Sequence, residues 1–216
     1  MKEENKLRHI IIELGAHLPY SIFGVLVGVV ILGLLTFFTI ILDVRHLLPR
    51  ASEELFHVFH PAHVLLSAVV TTAMFWKHER RLIKTLLVGF FGSVAICGLS
   101  DILLPYMGGR ILGIEMHLHI CILEHPHIII PFALIGVAVG FIIPGAIEKS
   151  TEFSHSIHVL VSSMASILYL ISFGVTDWIR VSGGVFLITI IAVMIPCCLS
   201  DIVFPLFFVD SGQHKH

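Results

Sequence analysis

A long uncharged segment near the start of the chain most constrains the fold. Leu18 to Leu42 contains no Asp, Glu, Lys or Arg, and about 20 such residues are enough for a helix to cross the hydrocarbon core of a bilayer. Over all 216 residues, 56% are hydrophobic and 13% are charged, whereas about a quarter of residues are charged in a soluble domain. Because lipid offers the backbone no hydrogen-bond partners, this composition predicts an all-α integral membrane protein.

Similar apolar segments recur along the chain and predict six transmembrane helices in total. Their expected positions are about 18–42, 55–76, 83–107, 128–147, 153–174 and 183–209. With the N-terminus in the cytoplasm, nine of the 13 Lys and Arg residues fall on the cytoplasmic side. The positive-inside rule therefore predicts that both termini are cytoplasmic.

Three motifs occur twice, in the same order, in the two halves of the chain. The pairs are Gly24-Val-Leu-Val-Gly28 with Gly136-Val-Ala-Val-Gly140, His60-Pro-Ala-His63 with His155-Ser-Ile-His158, and Cys97-Gly-Leu-Ser100-Asp101 with Cys197-Cys-Leu-Ser200-Asp201. We interpret residues 1–109 and 128–216 as two repeats, joined by a His-rich interfacial linker at 110–127. Three spans per repeat place the second copy upside down, so the repeats are expected to have inverted topology, as in many secondary transporters.

The repeated polar residues predict a metal site in each half. Two histidines three positions apart share one helical face, and imidazole with carboxylate ligands suits Zn²⁺, Fe²⁺, Mn²⁺, Co²⁺ or Ni²⁺. The predicted ligands are His60, His63 and Asp101 near the outer face, and His155, His158 and Asp201 near the inner face, with His17 and His127 as further ligands. Residues expected to support these ligands are Ser100, Ser200, Cys97, Cys197, Glu13, Glu124 and His125.

Two further features carry predictions about packing and about the linker. The glycine pairs at Gly24 and Gly28, and at Gly136 and Gly140, predict close helix approach. Read as a helix, the linker would carry several His and Glu side chains along the membrane surface. We interpret it either as a collector of cations or as an amphipathic connection between the halves.

The function favoured by these patterns is secondary transport of a divalent transition metal, with zinc or iron foremost, and with proton coupling through histidine. The main alternative is a membrane-embedded zinc or di-iron enzyme acting on a lipid or lipid-soluble substrate. Retention of His, His, Ser and Asp in both copies favours transport, and the His-Glu-x-x-His motif of many zinc proteases is absent from the sequence. A haem or quinone protein and a proton channel are further alternatives.

The expected partners follow from the same features. They are the lipid bilayer, a metal ion and, through the glycine faces, a second copy in a homodimer. The net charge of −2 says nothing about nucleic acid, and no basic cluster is large enough to suggest it, so no nucleic-acid partner is expected. The expected location is the cytoplasmic membrane of a bacterium or archaeon.

Overall fold

A computed structural model describes the backbone of residues 2–142 and 151–198 and most of their side chains. The described residues are helical with short connections and contain no strand. The helices are α1 (Lys2–Ile41), α2 (Leu48–His78), α3 (Leu82–Gly98), α4 (Leu104–Ile111), α5 (Cys121–Glu124), α6 (Pro126–Ile142), α7 (Thr151–Ser172) and α8 (Ser182–Cys198). A 3₁₀ turn at Arg45–Leu47 precedes α2, and a π-helical turn at Leu99–Leu103 joins α3 to α4.

Three helical segments are long and apolar enough to cross a membrane. They are Leu18–Ile41, Arg45–Lys77 and Leu82–Ile111. Three shorter apolar helices lie at Pro126–Ile142, Ser156–Ser172 and Ser182–Pro196. The all-helical architecture predicted from the sequence is confirmed for the described residues, and it is compatible with a membrane location.

Helix α2 lies at the centre of the bundle, where it packs against α3, α6 and α7, while α1 packs against α7 and α8. Helices α2 and α7 run antiparallel. Phe56, early in α2, lies 5.5 Å from Tyr169 late in α7, measured between ring centroids, and His63 meets His158 near the start of α7. The core between them is fully buried and includes both aromatic residues.

The two glycine pairs pack against helices of the opposite half. A Cβ at Gly136 would lie 2.5 Å from the Leu65 carbonyl oxygen, and one at Gly140 would lie 2.7 Å from the Val69 carbonyl oxygen, both on α2. These positions need glycine because any side chain would displace the backbone of α2.

The matching contacts of α1 are made with α7. A Cβ at Gly24 would lie 3.4 Å from the Leu160 Cα, and one at Gly28 would lie 3.5 Å from the Met164 sulfur. Leu160 and Met164 occupy the same positions after His155 as Leu65 and Val69 occupy after His60. The first helix of each half therefore contacts equivalent residues in the other half.

The π-helical turn has a local cause in the sequence. Pro105 has no amide hydrogen to give to the carbonyl group of Asp101 four residues earlier, so the regular helical ladder cannot continue there. Instead, the Leu104 amide donates to the Leu99 carbonyl oxygen, five residues back. The wider turn holds Asp101, and such turns are frequent at functional sites.

The helical interpretation of the linker is wrong over most of its length. Helix α4 ends at Ile111, and residues 114–120 are extended before the single turn of α5. The His117 amide donates to the Phe173 carbonyl oxygen at 2.8 Å. Backbone bonding to the turn that follows α7 therefore replaces one of the internal bonds of a helix in this segment.

Candidate functional site

A buried carboxylate lies at the junction of α2, the π-helical turn and α7. Asp101 is fully buried, and its Oδ2 lies 2.9 Å from His60 Nδ1 and 2.7 Å from His63 Nδ1. Its Oδ1 accepts hydrogen bonds from the Ser100 hydroxyl at 2.7 Å and the Ser162 hydroxyl at 3.1 Å. Four donors on one carboxylate satisfy its hydrogen-bonding capacity and stabilise the charged form.

This arrangement fixes the protonation pattern of the two histidines. A carboxylate only accepts, so the Nδ1 atoms of His60 and His63 each carry the hydrogen. In the neutral imidazoles the Nε2 atoms then hold lone pairs. A histidine that donates one ring N–H to a carboxylate and offers the other nitrogen is the usual form of a metal-binding histidine.

The hydrogen-bonded chain continues from α2 to α7. His63 Nε2 lies 2.8 Å from His158 Nε2, and both side chains are buried. Because His63 Nε2 acts as the acceptor when Nδ1 bonds Asp101, His158 donates in this contact. A continuous path of titratable groups therefore runs from His60 through Asp101 and His63 to His158.

The sequence-predicted outer site is assembled as a unit, because His60, His63 and Asp101 are in direct contact. His158 differs from expectation: it was assigned to a separate inner site, yet it contacts His63. The physical reason is the antiparallel crossing of α2 and α7, which brings His63, midway along α2, against His158 near the start of α7. Asp101 as a direct metal ligand stays a prediction; its oxygens accept hydrogen bonds from the two histidines and from Ser100 and Ser162.

Of the remaining predicted residues, some are described by the structure and others are not. Cys97 is buried, and its carbonyl oxygen accepts from the Ser100 hydroxyl at 3.2 Å. His127 is exposed, with its ring centroid 5.8 Å from that of His125. The side chains of Glu13, His17, His155 and Cys197, and all of Ser200 and Asp201, lie outside the described residues.

A second histidine cluster lies on the other side of Phe56 from the Asp101 carboxylate. His57, His119 and His125 each offer a ring nitrogen, and these nitrogens lie within 4.8 Å of one another. His57 Nε2 and His119 Nε2 are 3.2 Å apart. We call these three residues the rim triad. Three histidines in this arrangement could hold a metal ion.

The immediate surroundings of the rim triad orient His119. Its Nδ1 lies 2.9 Å from a carboxylate oxygen of Glu124, and its ring stacks on Phe173 with 4.7 Å between centroids. Burial lowers the pKa of His119 below its ordinary value, against the opposing effect of the Glu124 carboxylate. Burial, with added repulsion from Glu124, raises the pKa of the nearby Cys121 thiol to about 12, so this cysteine stays protonated.

An apolar cavity of about 460 Å³ opens beside His60. Its walls come from α3, the π-helical turn, the extended linker and α6, and His60 is the polar side chain among its described lining residues. Representative wall residues are Val94, Gly98, Ile102, Leu118, Ile120 and Ile129. Such a cavity suits an apolar molecule, and a molecule inside it would contact His60.

Sequence reasoning missed three residues that the structure places at these sites. His57 lies three positions before His60, so the run His57, His60, His63 on one helix carried the signal for it. His119 lies in the His-rich linker at 110–127, and the sequence pattern gave it no role. Ser162 lies four positions after His158, but its partner Asp101 is 61 positions away and emerges only from the fold.

Comparison with known protein families, curated proteins and solved structures gave no match for this chain.

Proposed function

We propose that this protein is a secondary transporter of a divalent transition metal ion, coupled to protons, and built from two inverted three-helix repeats with six membrane-spanning helices. One observation carries the proposal. His63 and His158, which occupy equivalent positions in the two repeats, approach each other through the same atom at 2.8 Å beside a buried carboxylate. Equivalent atoms meet in this way where a two-fold axis passes between them, which is where inverted-repeat transporters bind their substrate.

The packing of the glycine pairs supports the same repeat relation. The contacts of Gly136 and Gly140 with α2 repeat those of Gly24 and Gly28 with α7, residue for residue. Such reciprocal contacts require that the first helix of each half docks on the second helix of the other. The same exchange is expected of two copies related by an axis in the membrane plane.

Unpartnered hydroxyls on α2 give further support. Ser162 and Ser166 on α7 donate to the Asp101 carboxylate and to the Ser100 carbonyl oxygen. Their equivalents on α2, Ser67 and Thr71, are buried and have no hydrogen-bond partner among the described residues. Leaving two buried hydroxyls unpaired costs about 1–3 kcal/mol each. Under the inverted-repeat proposal, these hydroxyls mark the positions on α2 that correspond to the serines of α7 at the carboxylate.

The chemistry at the centre allows an ion and protons to compete. Two imidazole nitrogens on one tetrahedral zinc ion lie about 3.3 Å apart, given bonds of about 2.0–2.1 Å. The 2.8 Å between His63 Nε2 and His158 Nε2 would widen by about half an ångström to admit the ion, and the hydrogen on His158 Nε2 would shift to Nδ1 so that both Nε2 atoms offer lone pairs. When one of these imidazoles is protonated beforehand, metal entry displaces that proton, which is the basis for coupled transport.

A specific observation favours a second candidate, a membrane-embedded metalloenzyme. The apolar cavity beside His60 is large enough for part of a lipid-soluble molecule. In that case the His60 side chain would face the substrate, and the Asp101 carboxylate would orient the His60 ring. This candidate predicts turnover of an apolar compound, without net movement of metal across the bilayer.

The experiment is metal uptake into liposomes that contain the purified protein and a metal-sensitive dye. We expect Zn²⁺ or Mn²⁺ uptake that rises with an imposed pH gradient, and loss of uptake in His63→Ala. Absence of uptake for every divalent metal tested, with protein correctly folded and inserted, would contradict transport.

Two neighbouring serines on α7 provide matched variants. Ser162 donates to Asp101, whereas Ser163 is equally buried but donates to the Val159 carbonyl oxygen of its own helix. Ser162→Ala should slow uptake, and Ser163→Ala should leave it close to wild type. Equal effects of the two substitutions would show that uptake does not depend on the carboxylate network.

A further inference from the structure

We infer that His57, His119 and His125 form a second metal site, selective for Zn²⁺ and chemically similar ions and separate from the buried Asp101 network. The site itself does not require the transport function. Its role as the place where ions are captured before they reach His60 rests on the proposed function.

The spacing of the three imidazoles fits a single ion. Nitrogens that share a tetrahedral zinc ion lie about 3.3 Å apart, and His57 Nε2 and His119 Nε2 are 3.2 Å apart. The coordinating atoms of all three residues lie within 4.8 Å of one another. Small movements of the side chains are therefore enough for an ion to bind, and the backbone does not need to change.

His119 is held in the form that binds metal. Its Nδ1–H donates to the Glu124 carboxylate at 2.9 Å, which leaves Nε2 with a lone pair directed at His57. The other Glu124 oxygen accepts from the Ile120 amide at 3.3 Å. A carboxylate that orients a histidine in this way raises the basicity of the ligand nitrogen, and its removal weakens metal binding by about 10–100-fold.

The extended linker is fixed to the bundle at the triad. The Tyr169 hydroxyl on α7 accepts from the His119 amide at 3.2 Å and donates to the His117 carbonyl oxygen at 3.3 Å. Phe173 stacks on the His119 ring with an angle of 10° between planes. Neighbouring contacts therefore position one ligand before any metal arrives, which reduces the entropic cost of binding.

The ligand types select the ion. Three imidazole ligands favour Zn²⁺, Co²⁺, Ni²⁺ or Cu²⁺ over Mg²⁺ and Ca²⁺, which prefer oxygen. His57 and His125 are only partly buried, so a water molecule can complete the coordination. His57 also lies one helical turn from His60, which connects the site to the buried network along α2.

The test measures metal content and the visible absorption of bound Co²⁺ in the detergent-purified full chain. The variants His57→Ala, His119→Ala and His125→Ala should each lose one metal equivalent per chain and the absorption of tetrahedral Co²⁺. The matched control is His117→Ala. His117 is an exposed histidine two positions from His119, and it is not one of the three residues whose ring nitrogens cluster. This control should retain both signals.

Two further variants make the outcome decisive. Glu124→Gln keeps the shape of the side chain and should weaken Co²⁺ binding by about 10–100-fold, even if a histidine variant fails to fold. His63→Ala should abolish uptake into liposomes while the triad still binds Co²⁺, which separates this site from the transport proposal. Unchanged metal content and absorption in all three triad variants and in Glu124→Gln would overturn the inference.

Discussion

Replacement of Asp101 by Asn tests whether the carboxylate orients the histidines or binds the metal itself. The amide has nearly the same shape, so packing at this fully buried position is preserved. Its loss of charge converts two charge-assisted hydrogen bonds, from His60 Nδ1 and His63 Nδ1, into neutral ones. The Ser100 and Ser162 hydroxyls can rotate to accept from the new NH₂ group, so they remain satisfied.

The magnitude follows from the hydrogen bonds. A bond to a charged group contributes about 1.5–3 kcal/mol and a neutral bond about 0.5–1.5 kcal/mol. Weakening these two hydrogen bonds therefore reduces the free energy that orients the two imidazoles by about 2–3 kcal/mol. Removing a carboxylate that orients histidine ligands reduces metal affinity by about 10–100-fold, which is a similar free energy because tenfold corresponds to about 1.4 kcal/mol.

The assay is equilibrium dialysis against Zn²⁺, with elemental analysis of purified Asp101→Asn and wild-type protein. We expect weaker binding with the same number of ions per chain at saturation. Unchanged affinity would refute the orienting role. Loss of one ion per chain even at saturating Zn²⁺, with helical content intact, would show that Asp101 is a direct ligand.

Three further predictions concern packing and the linker. Gly136→Ala places a Cβ 2.5 Å from the Leu65 carbonyl oxygen and should lower the free energy of unfolding by about 1–3 kcal/mol. Gly33→Ala, where nothing lies within 4 Å, should be neutral or stabilising by thermal unfolding in the same detergent. Tyr169→Phe removes both hydroxyl bonds to the linker and should cost about 1 kcal/mol, with faster hydrogen exchange at the His119 amide. Because the pKa of His119 is lowered from 6.5, this ligand is neutral at pH 7. Metal at the rim triad should therefore be retained at pH 7 and lost only as the pH falls below 6.5, and loss between pH 8 and 7 would contradict this protonation state.

The helices and the partnership of His60, His63 and Asp101 could be predicted because they depend on local patterns. Apolar length fixes the helices, and spacing of three positions places two histidines on one face. A repeated Ser-Asp motif in an apolar segment marked the carboxylate, because an intramembrane charge is costly unless it has partners.

The depth and grouping of the sites could not be predicted in the same way. The contact of His63 with His158 depends on the angle and position at which α2 crosses α7, and these are set by many side chains at once. The rim triad depends on an extended linker whose amides bond to α7, and apolar periodicity does not reveal such a segment. The π-helical turn that holds Asp101 was also not predicted, although Pro105, which interrupts the regular helical hydrogen bonds, is visible in the sequence.

The most direct test of the account is the metal content of His63→Ala, His158→Ala and the double variant, measured on folded protein at saturating Zn²⁺. One centre shared by the two repeats predicts that each single variant loses the same ion, so the double variant loses no more than either one. Additive losses would show two separate sites, and retention of full metal content in all three variants would contradict a metal centre at the contact between His63 and His158.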